Sequence, residues 1–196
     1  MRENSKNFNL QSYRALLKYI KSAKLKARKF SDEFSGGRNL LMRHDIDFCP
    51  LRALELAKVE KKYSINSTYF FLVNTDFYNL HSEENKTILK KILKLGHYIG
   101  LHFDASKYNK SANINLACKK ELDVLENIIS KKVNIVSFHR PIKAILNMNK
   151  KIANLNHTYM PKFFKNMIYC SDSEGTWRFE TPRNIIEKNK NNNFFT

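Results

Sequence analysis

The sequence predicts a single α/β domain in which parallel strands alternate with helices. Three observations predict this class. Short apolar or β-branched runs recur along the chain, amphipathic segments with helical spacing separate them, and polar side chains stand where several of the runs end. With 196 residues, of which 42% are hydrophobic, the chain is long enough to bury one substantial core.

Helices are predicted where apolar side chains recur every three to four residues and Lys or Arg occupies the other face. These segments are residues 9–29, 51–62, 84–95 and 114–130, with a further short helix within 142–155. The third segment has clear ends, because Ser82 is a suitable N-cap and Gly96 a suitable C-terminal stop. We expect residues 1–30 to form an N-terminal helical segment.

Strands are predicted at short apolar runs that are rich in β-branched and aromatic residues. They cover residues 39–46, 65–73, 98–103 and 133–138, with a weaker fifth run at 169–173. No run approaches the roughly 20 apolar residues that span a bilayer, and the N-terminus lacks the apolar region of a secretory signal. The sequence therefore predicts a cytoplasmic protein, in which Cys49, Cys118 and Cys170 are free thiols.

Charged and metal-competent side chains collect at the predicted strand ends: Asp45, Asp47, His102, Asp104, His139, Arg140 and Asp172. Parallel strands bring their carboxyl ends to one edge, where the working residues of α/β folds lie. Asp45 and Asp47 are two residues apart, so they project to the same side, whereas His44 projects to the other. Two carboxylates side by side at the end of a buried strand need a cation or a proton between them.

Asp and His from several strands form a mixed nitrogen and oxygen site, which suits Zn or another first-row divalent ion. A second carboxylate could take a proton from a metal-bound water, and an arginine beside it would keep it ionised. The residues themselves thus suggest metal-assisted hydrolysis. Trp177 fits either the core or a sugar-stacking surface.

The formal net charge of +17 could indicate a nucleic-acid or membrane partner. The lysines are spread over the whole chain instead of forming one stripe, which disfavours a specific nucleic-acid site. We expect at most a weak attraction to an anionic membrane surface or to a phosphorylated substrate.

Four motifs, in this order, resemble the polysaccharide deacetylases of the NodB-homology type (carbohydrate esterase family 4). They are Arg43-His44-Asp45-Ile46-Asp47, Gly96-His97-Tyr98-Ile99-Gly100-Leu101-His102, Ser137-Phe138-His139-Arg140-Pro141 and Asp172-Ser173-Glu174-Gly175-Thr176-Trp177. Within that superfamily, the motif-bearing core at residues 39–178 looks most like the small WbmS-like branch found with lipopolysaccharide and capsule biosynthesis genes.

The resemblance implies a distorted (β/α) barrel that holds a divalent metal in its mouth and removes an N-acetyl group from a sugar. It makes Asp45 the catalytic base, Asp47 and His102 metal ligands, and Arg140 the arginine that orients the base. Asp172 matches the acidic residue that steadies this arginine, and Trp177 is a candidate substrate contact.

The chain departs from the family pattern at two places. The second metal histidine is expected four residues after the first, where this chain has Ser106. We infer that His139 replaces it from the neighbouring strand end. The family also closes with an apolar strand that carries a general-acid histidine, whereas residues 185–196 are rich in Lys and Asn. The chain therefore looks truncated, with the last strand missing and a polar, disordered tail in its place.

The sequence thus predicts a metal-dependent sugar N-deacetylase that acts on a glycan precursor. Deformylation or cleavage of another amide or ester fits the same residues. The first alternative is a catalytically impaired glycan-binding protein on the same fold, which Ser106 and the abrupt end favour and which the intact Asp pair disfavours. The second alternative is a basic nucleic-acid-binding protein, which only the net charge supports.

Overall fold

The computed structural model describes residues 8–33, 36–108, 112–141, 143–146, 148–173, 176–178 and 180–196. Its helices are α1 (Leu10–Ser22), α2 (Pro50–Lys62), α3 (Glu83–Lys94), α4 (Ile114–Ile129), α5 (Lys143–Leu146), α6 (Pro161–Phe164) and α7 (Pro182–Lys188). Its strands are β1 (Lys26–Ala27), β2 (Asn39–Leu41), β3 (Arg43–Ile46), β4 (Thr68–Leu72), β5 (Tyr98–Phe103), β6 (Ile135–Phe138), β7 (Asn156–His157), β8 (Ile168–Tyr169), β9 (Asp172–Ser173), β10 (Thr176–Trp177) and β11 (Phe194–Phe195).

Two parallel sheets dominate the fold. The first has the order β3-β4-β5-β6-β7, and the second has the order β1-β2-β11-β8. Only Met42 separates β2 from β3 in the chain, so the sheets adjoin at that residue. The predicted α/β class with parallel strands is confirmed, as are the helices at 51–62, 84–95 and 114–130 and the strand at 98–103. The helix predicted at 9–29 is shorter than expected, because α1 ends at Ser22 and β1 follows, and the single strand predicted at 39–46 is divided between the two sheets. The predicted caps of α3 are also confirmed, because the Ser82 side chain accepts a hydrogen bond from the Asn85 amide and Gly96 has a φ of +96°.

Alternate residues of the first sheet point to two different hydrophobic clusters. One face packs against α2, α3 and α4 through residues such as Phe71, Leu101 and Val136. The other face contributes Phe70 and Ile135 to an inner cluster, where they meet Leu41 and Phe195 of the second sheet. The two sheets therefore enclose a common interior, as a barrel-like fold requires.

Gly100 shows how tightly this interior is packed. Its register partner on β4 is Phe70, whose ring would lie 2.4 Å from a Cβ atom added at position 100. A larger residue here would have to displace the ring from the inner cluster, so the close approach requires glycine.

The C-terminal segment differs from the prediction. Residues 185–196 were expected to be a polar tail, and the last strand was expected to be missing. The structure instead places residues 182–188 in α7 and inserts β11 between β2 and β8. Phe194 and Phe195 are 2% and 0% exposed, so burial of two aromatic rings orders a segment whose composition is mostly polar.

The region around the fourth motif also differs from the prediction. The single run predicted at 169–173 is two short strands, β8 and β9, and β9 pairs antiparallel with β10 in a separate hairpin. Glu174 and Gly175 of that motif lie outside the described residues. Within the described ranges, no helix is both long and apolar enough to cross a membrane.

Candidate metal and hydrolytic site

Three side chains from three strand ends meet at the carboxyl edge of the first sheet. Asp47 follows β3, His102 lies near the end of β5, and His139 follows β6. Asp47 Oδ1 is 3.3 Å from both His102 Nε2 and His139 Nδ1, and the two imidazole nitrogens are 3.2 Å apart. The three candidate ligand atoms thus form a nearly equilateral triangle.

This triangle has the donor set and dimensions of a divalent metal site. Metal bonds of about 2.0–2.1 Å in tetrahedral geometry separate neighbouring ligand atoms by about 3.3–3.4 Å. Asp47 Oδ1 is buried and has no hydrogen-bond partner within the described structure, so a cation would satisfy an otherwise unpaired atom. Nitrogen and oxygen ligands in this combination fit Zn or another first-row divalent ion.

Asp45 lies beside the triangle and forms an ion pair with Arg43, which precedes it by two residues on the same face of β3. Its Oδ2 atom is 3.9 Å from His102 Nε2. Burial by itself would raise the pKa of the Asp45 carboxyl, but the Arg43 charge and, next, His102 outweigh burial and lower this pKa. Asp45 is therefore an ionised carboxylate next to the candidate metal ligands.

Arg43 is held from several sides. Its Nη1 donates a hydrogen bond to Thr158 Oγ1 at 3.0 Å. Its guanidinium also lies 5.6–5.8 Å from the ring centres of Phe70, Tyr159 and Phe195. This cage of three rings fixes the cation, and the cation in turn fixes Asp45.

The arginine that contacts Asp45 is thus Arg43 instead of the predicted Arg140. Arg140 follows the end of β6 with a φ of 45°, and its side chain is exposed. Among the residues that the structure describes, it makes no hydrogen bond or ion pair. Arg43 can reach the carboxylate because residues two apart on a strand share a face.

Asp172 and Trp177 occupy the β9–β10 hairpin, where they are register partners. Asp172 is exposed, and its charge contributes to the raised pKa of His44 on the other face of β3. The Trp177 ring packs 5.0 Å from Phe8 and against the cluster that α1 and α7 share. The structure therefore brings together Asp45, Asp47, His102 and His139, and it does not add Asp172 or Trp177 to this group.

Ser106, which stands at the position of the expected second histidine, has a local structural partner. Asp104 caps a short 3-10 helix at Ala105–Lys107, and its Oδ1 accepts hydrogen bonds from the Ser106 amide at 3.0 Å and hydroxyl at 2.6 Å. The chain turns away here, and His139 supplies the second imidazole from the neighbouring strand end.

The opposite face of β3 carries a second buried charge cluster, which the sequence did not reveal. Glu60 on α2 is fully buried and contacts His44 at 2.6 Å, while Tyr69 and Tyr13 donate hydrogen bonds to it. Burial lowers the pKa of His44, but the Glu60 charge outweighs burial and raises it. Nearby, His97 Nδ1 accepts from the Ser67 amide, which leaves its Nε2 to donate to the Ala57 carbonyl.

Sequence reasoning missed Arg43 and Glu60 as partners of the site strand. The two-residue spacing from Arg43 to Asp45 was an available signal, since it puts both side chains on one face. Glu60 offered none, because a glutamate in a Lys-rich amphipathic helix is typical of a solvent position.

Comparison with solved structures supports the fold. The chain is similar to the deacetylase PplD from Streptococcus pyogenes, solved in complex with acetate, with a TM-score of 0.53 and 12% identity over 74% of this chain and 73% of that chain. The chain has a deacetylase-type fold. A CE4 family pseudoenzyme from Bacillus anthracis matches with a TM-score of 0.47 and 12% identity, over 80% of this chain and 53% of its own. No family model matches the sequence, and no curated protein matches it.

Proposed function

We propose that this protein is a metal-dependent hydrolase that removes an N-acetyl group from a sugar of a surface glycan. The observation that carries the proposal is the placement of Asp45, paired with Arg43, beside the ligand triangle of Asp47, His102 and His139. The deacetylase-type fold supports the same reaction class, as does the resemblance of the four motifs.

In this proposal Asp47, His102 and His139 hold the metal. When bound, a divalent ion would activate a water molecule and polarise the acetamide carbonyl. Asp45 accepts the proton of the attacking water, a role that needs an ionised carboxylate within reach of the reacting atoms. In this proposal the protonated Asp45 carboxyl then returns that proton to the amide nitrogen as the C–N bond breaks, which releases acetate and the free amine of the sugar. Arg43 keeps Asp45 ionised and oriented, and Thr158 and the three aromatic rings prevent Arg43 from moving away.

The proposed substrate is an N-acetylated sugar within a lipopolysaccharide or capsule precursor on the cytoplasmic side of the membrane. A precursor of this kind carries phosphate through its nucleotide or lipid carrier. The formal net charge of +17 would favour encounter with such an anion, and weak association with an anionic membrane surface would follow from the same charge.

Metal analysis and acetate release test this proposal together. We expect purified protein to carry about one divalent ion per chain and to release acetate from N-acetylated sugars. Asp45→Asn should keep the ion and lose activity by about 10²- to 10⁴-fold, whereas His102→Ala should lose both.

His81→Ala is the matched control, because His81 is an exposed histidine outside the group of three candidate ligands, and it should change neither quantity. A His102→Ala variant that retains the metal would overturn the ligand assignment. Metal and sugar binding without acetate release from any acetylated glycan would favour the glycan-binding alternative.

A further inference from the structure

Two large aromatic side chains are exposed beside the candidate metal site. Phe48 and Phe77 are each 64% exposed, and their rings pack edge to face with centres 4.6 Å apart and planes at 72°. We call them the aromatic rim pair. Water-exposed phenylalanines that contact each other form an apolar patch, and such patches commonly mark a binding surface.

The aromatic rim pair is fixed relative to the ligand triangle. Phe48 directly follows the candidate ligand Asp47 in the chain. Phe77 precedes Tyr78, whose hydroxyl donates a hydrogen bond to the Ile46 carbonyl at 2.6 Å and accepts one from the Leu72 amide at 2.9 Å. Tyr78 thus ties the Phe77 loop to the ends of β3 and β4, and both rings are held beside the strand end that carries Asp47.

The surroundings favour a sugar over a membrane as the occupant of this pair. Asp47 directly precedes Phe48 and Asp76 directly precedes Phe77, and the nearest basic residues along the chain, Arg52 and Lys86, are paired with Glu55 and Glu83. Basic groups that are already paired with carboxylates offer little attraction to anionic lipid headgroups. A phenylalanine ring has no polar atom, so it suits the C–H face of a pyranose ring, whose hydroxyl groups point sideways into water.

We infer that the aromatic rim pair is a platform for the C–H face of a pyranose ring in the glycan substrate. This inference rests on the proposed function and names the part of the protein that would hold the substrate in place. Since the contact exists equally before and during the reaction, its loss should raise KM and leave kcat nearly unchanged. Partial burial of one ring corresponds to about a 3- to 30-fold effect.

The first test measures acetate release with variants of the pair. Phe48→Ala and Phe77→Ala should raise KM, Phe77→Tyr should restore it because the flat ring is kept, and Phe77→Leu should not. Leu116→Ala is the control, since Leu116 is an exposed apolar residue on α4 with 53% exposure. It should leave KM unchanged. Unchanged KM in both alanine variants with normal acetate release would overturn the platform and leave the proposed function intact.

The second test measures binding directly and separates the two ideas. Isothermal titration of the protein with the N-acetylated tetrasaccharide chitotetraose should show weakened binding in Phe77→Ala and Phe48→Ala. If the alanine variants bind chitotetraose more weakly but wild-type protein releases no acetate, the platform is supported and the proposed function is wrong. If wild-type protein does not bind chitotetraose, the platform is wrong. The platform is also wrong if the alanine variants instead lose binding to phosphatidylglycerol vesicles, because the pair would then contact lipid.

Discussion

The two faces of strand β3 carry buried charges of very different character. On the inner face, the Oδ1 atoms of Asp45 and Asp47 are buried and have no hydrogen-bond partner among the described residues. The same holds for Nδ1 of the neighbouring His102. On the outer face, both oxygens of Glu60 have partners, from His44 and two tyrosines. Only one residue step along the strand separates the two environments.

The difference shows how a strand can serve function and stability at once. A buried polar atom without a partner costs about 1–3 kcal/mol, so its persistence needs a reason such as a missing ligand. On the inner face, the divalent metal ion that we propose for Asp47, His102 and His139 would offset that cost. The outer face is complete within the protein, so it positions the strand. We therefore expect inner-face changes to alter activity and outer-face changes to alter stability.

Removal of the Arg43 positive charge, which pairs with Asp45 on the inner face, should have the largest effect. Arg43→Met keeps most of the apolar contacts with the surrounding rings but leaves Asp45 buried without its counter-charge. We expect acetate release to fall by about 10²-fold or more, with the metal retained. The measurements are kcat/KM and metal content per chain. Arg52→Met, at an exposed pair with Glu55, is the control and should retain full activity.

The outer-face carboxylate should control stability. Glu60→Ala leaves His44, Tyr13 and Tyr69 without their common partner, and we expect the free energy of unfolding in urea to fall by about 3–5 kcal/mol. Glu55→Ala, on the exposed side of the same helix, should cost less than about 1 kcal/mol. Equal losses in the two variants would contradict the view that the Glu60 cluster anchors β3.

The stability that the outer cluster provides should depend on pH in a defined direction. The pKa of His44 is raised, so its contribution is complete below the ordinary histidine value of 6.5 and is lost as pH rises through the folded value. The pKa of Glu60 is lowered: burial raises it, but His44 and the hydrogen bonds outweigh burial. Its contribution is complete above 4.5 and is lost as pH falls through the folded value.

The difference in unfolding free energy between wild type and Glu60→Gln should therefore be largest between pH 4.5 and 6.5. Urea titrations at several pH values measure it. A difference that stays constant from pH 4 to beyond the pH at which His44 loses its proton would show that the charges of the pair do not matter to the fold.

Glu121 on α4 also has a buried oxygen without a hydrogen-bond partner, but it lies outside the group of candidate ligands. Its Oε2 is buried without a partner within the described structure, and burial raises the pKa of Glu121 to about 7. For a raised acid pKa, stability falls as pH rises from 4.5 to about 7. Glu121→Gln should thus stabilise the protein by about 1–3 kcal/mol at pH 8 and have no effect at pH 4.

Acetate release by Glu121→Gln at pH 8 should equal that of wild type. This result would distinguish an unpaired atom that binds a ligand, as proposed for Asp47, from one that only lowers the stability of the folded protein. If the variant loses activity without loss of stability, Glu121 belongs to the catalytic site, and unpaired atoms outside the inner face of β3 also serve function.

The sequence predicted most of the features that depend on the periodic spacing of apolar and polar residues. The helices at 51–62, 84–95 and 114–130, the strand at 98–103 and the grouping of Asp47, His102 and His139 at one sheet edge all followed from the pattern of side chains. Strand ends of a parallel sheet meet whatever the loops do, so the spacing of polar residues along the chain predicts their meeting in space.

The same pattern failed where long-range packing decides the structure. Residues 185–196 are polar on average, yet two buried phenylalanines draw them into the second sheet between β2 and β8. Likewise, nothing local distinguishes Glu60 from the solvent-exposed glutamate on the same helix, and only the approach of α1 and β4 buries it among tyrosines.

The amino-acid sequence alone determined the fold class and the set of strand-end residues that contains the candidate ligands, because both depend on local periodicity and residue chemistry, and the family resemblance implied that Asp47 is a ligand and Asp45 the base. Only the tertiary structure decided that Arg43 pairs with Asp45, that Arg140 is exposed, and that β3 separates a paired cluster from an unpaired one. Ion-pair choice depends on which side chains share a buried space, and distances across a packed interior are not written in the spacing of residues along the chain.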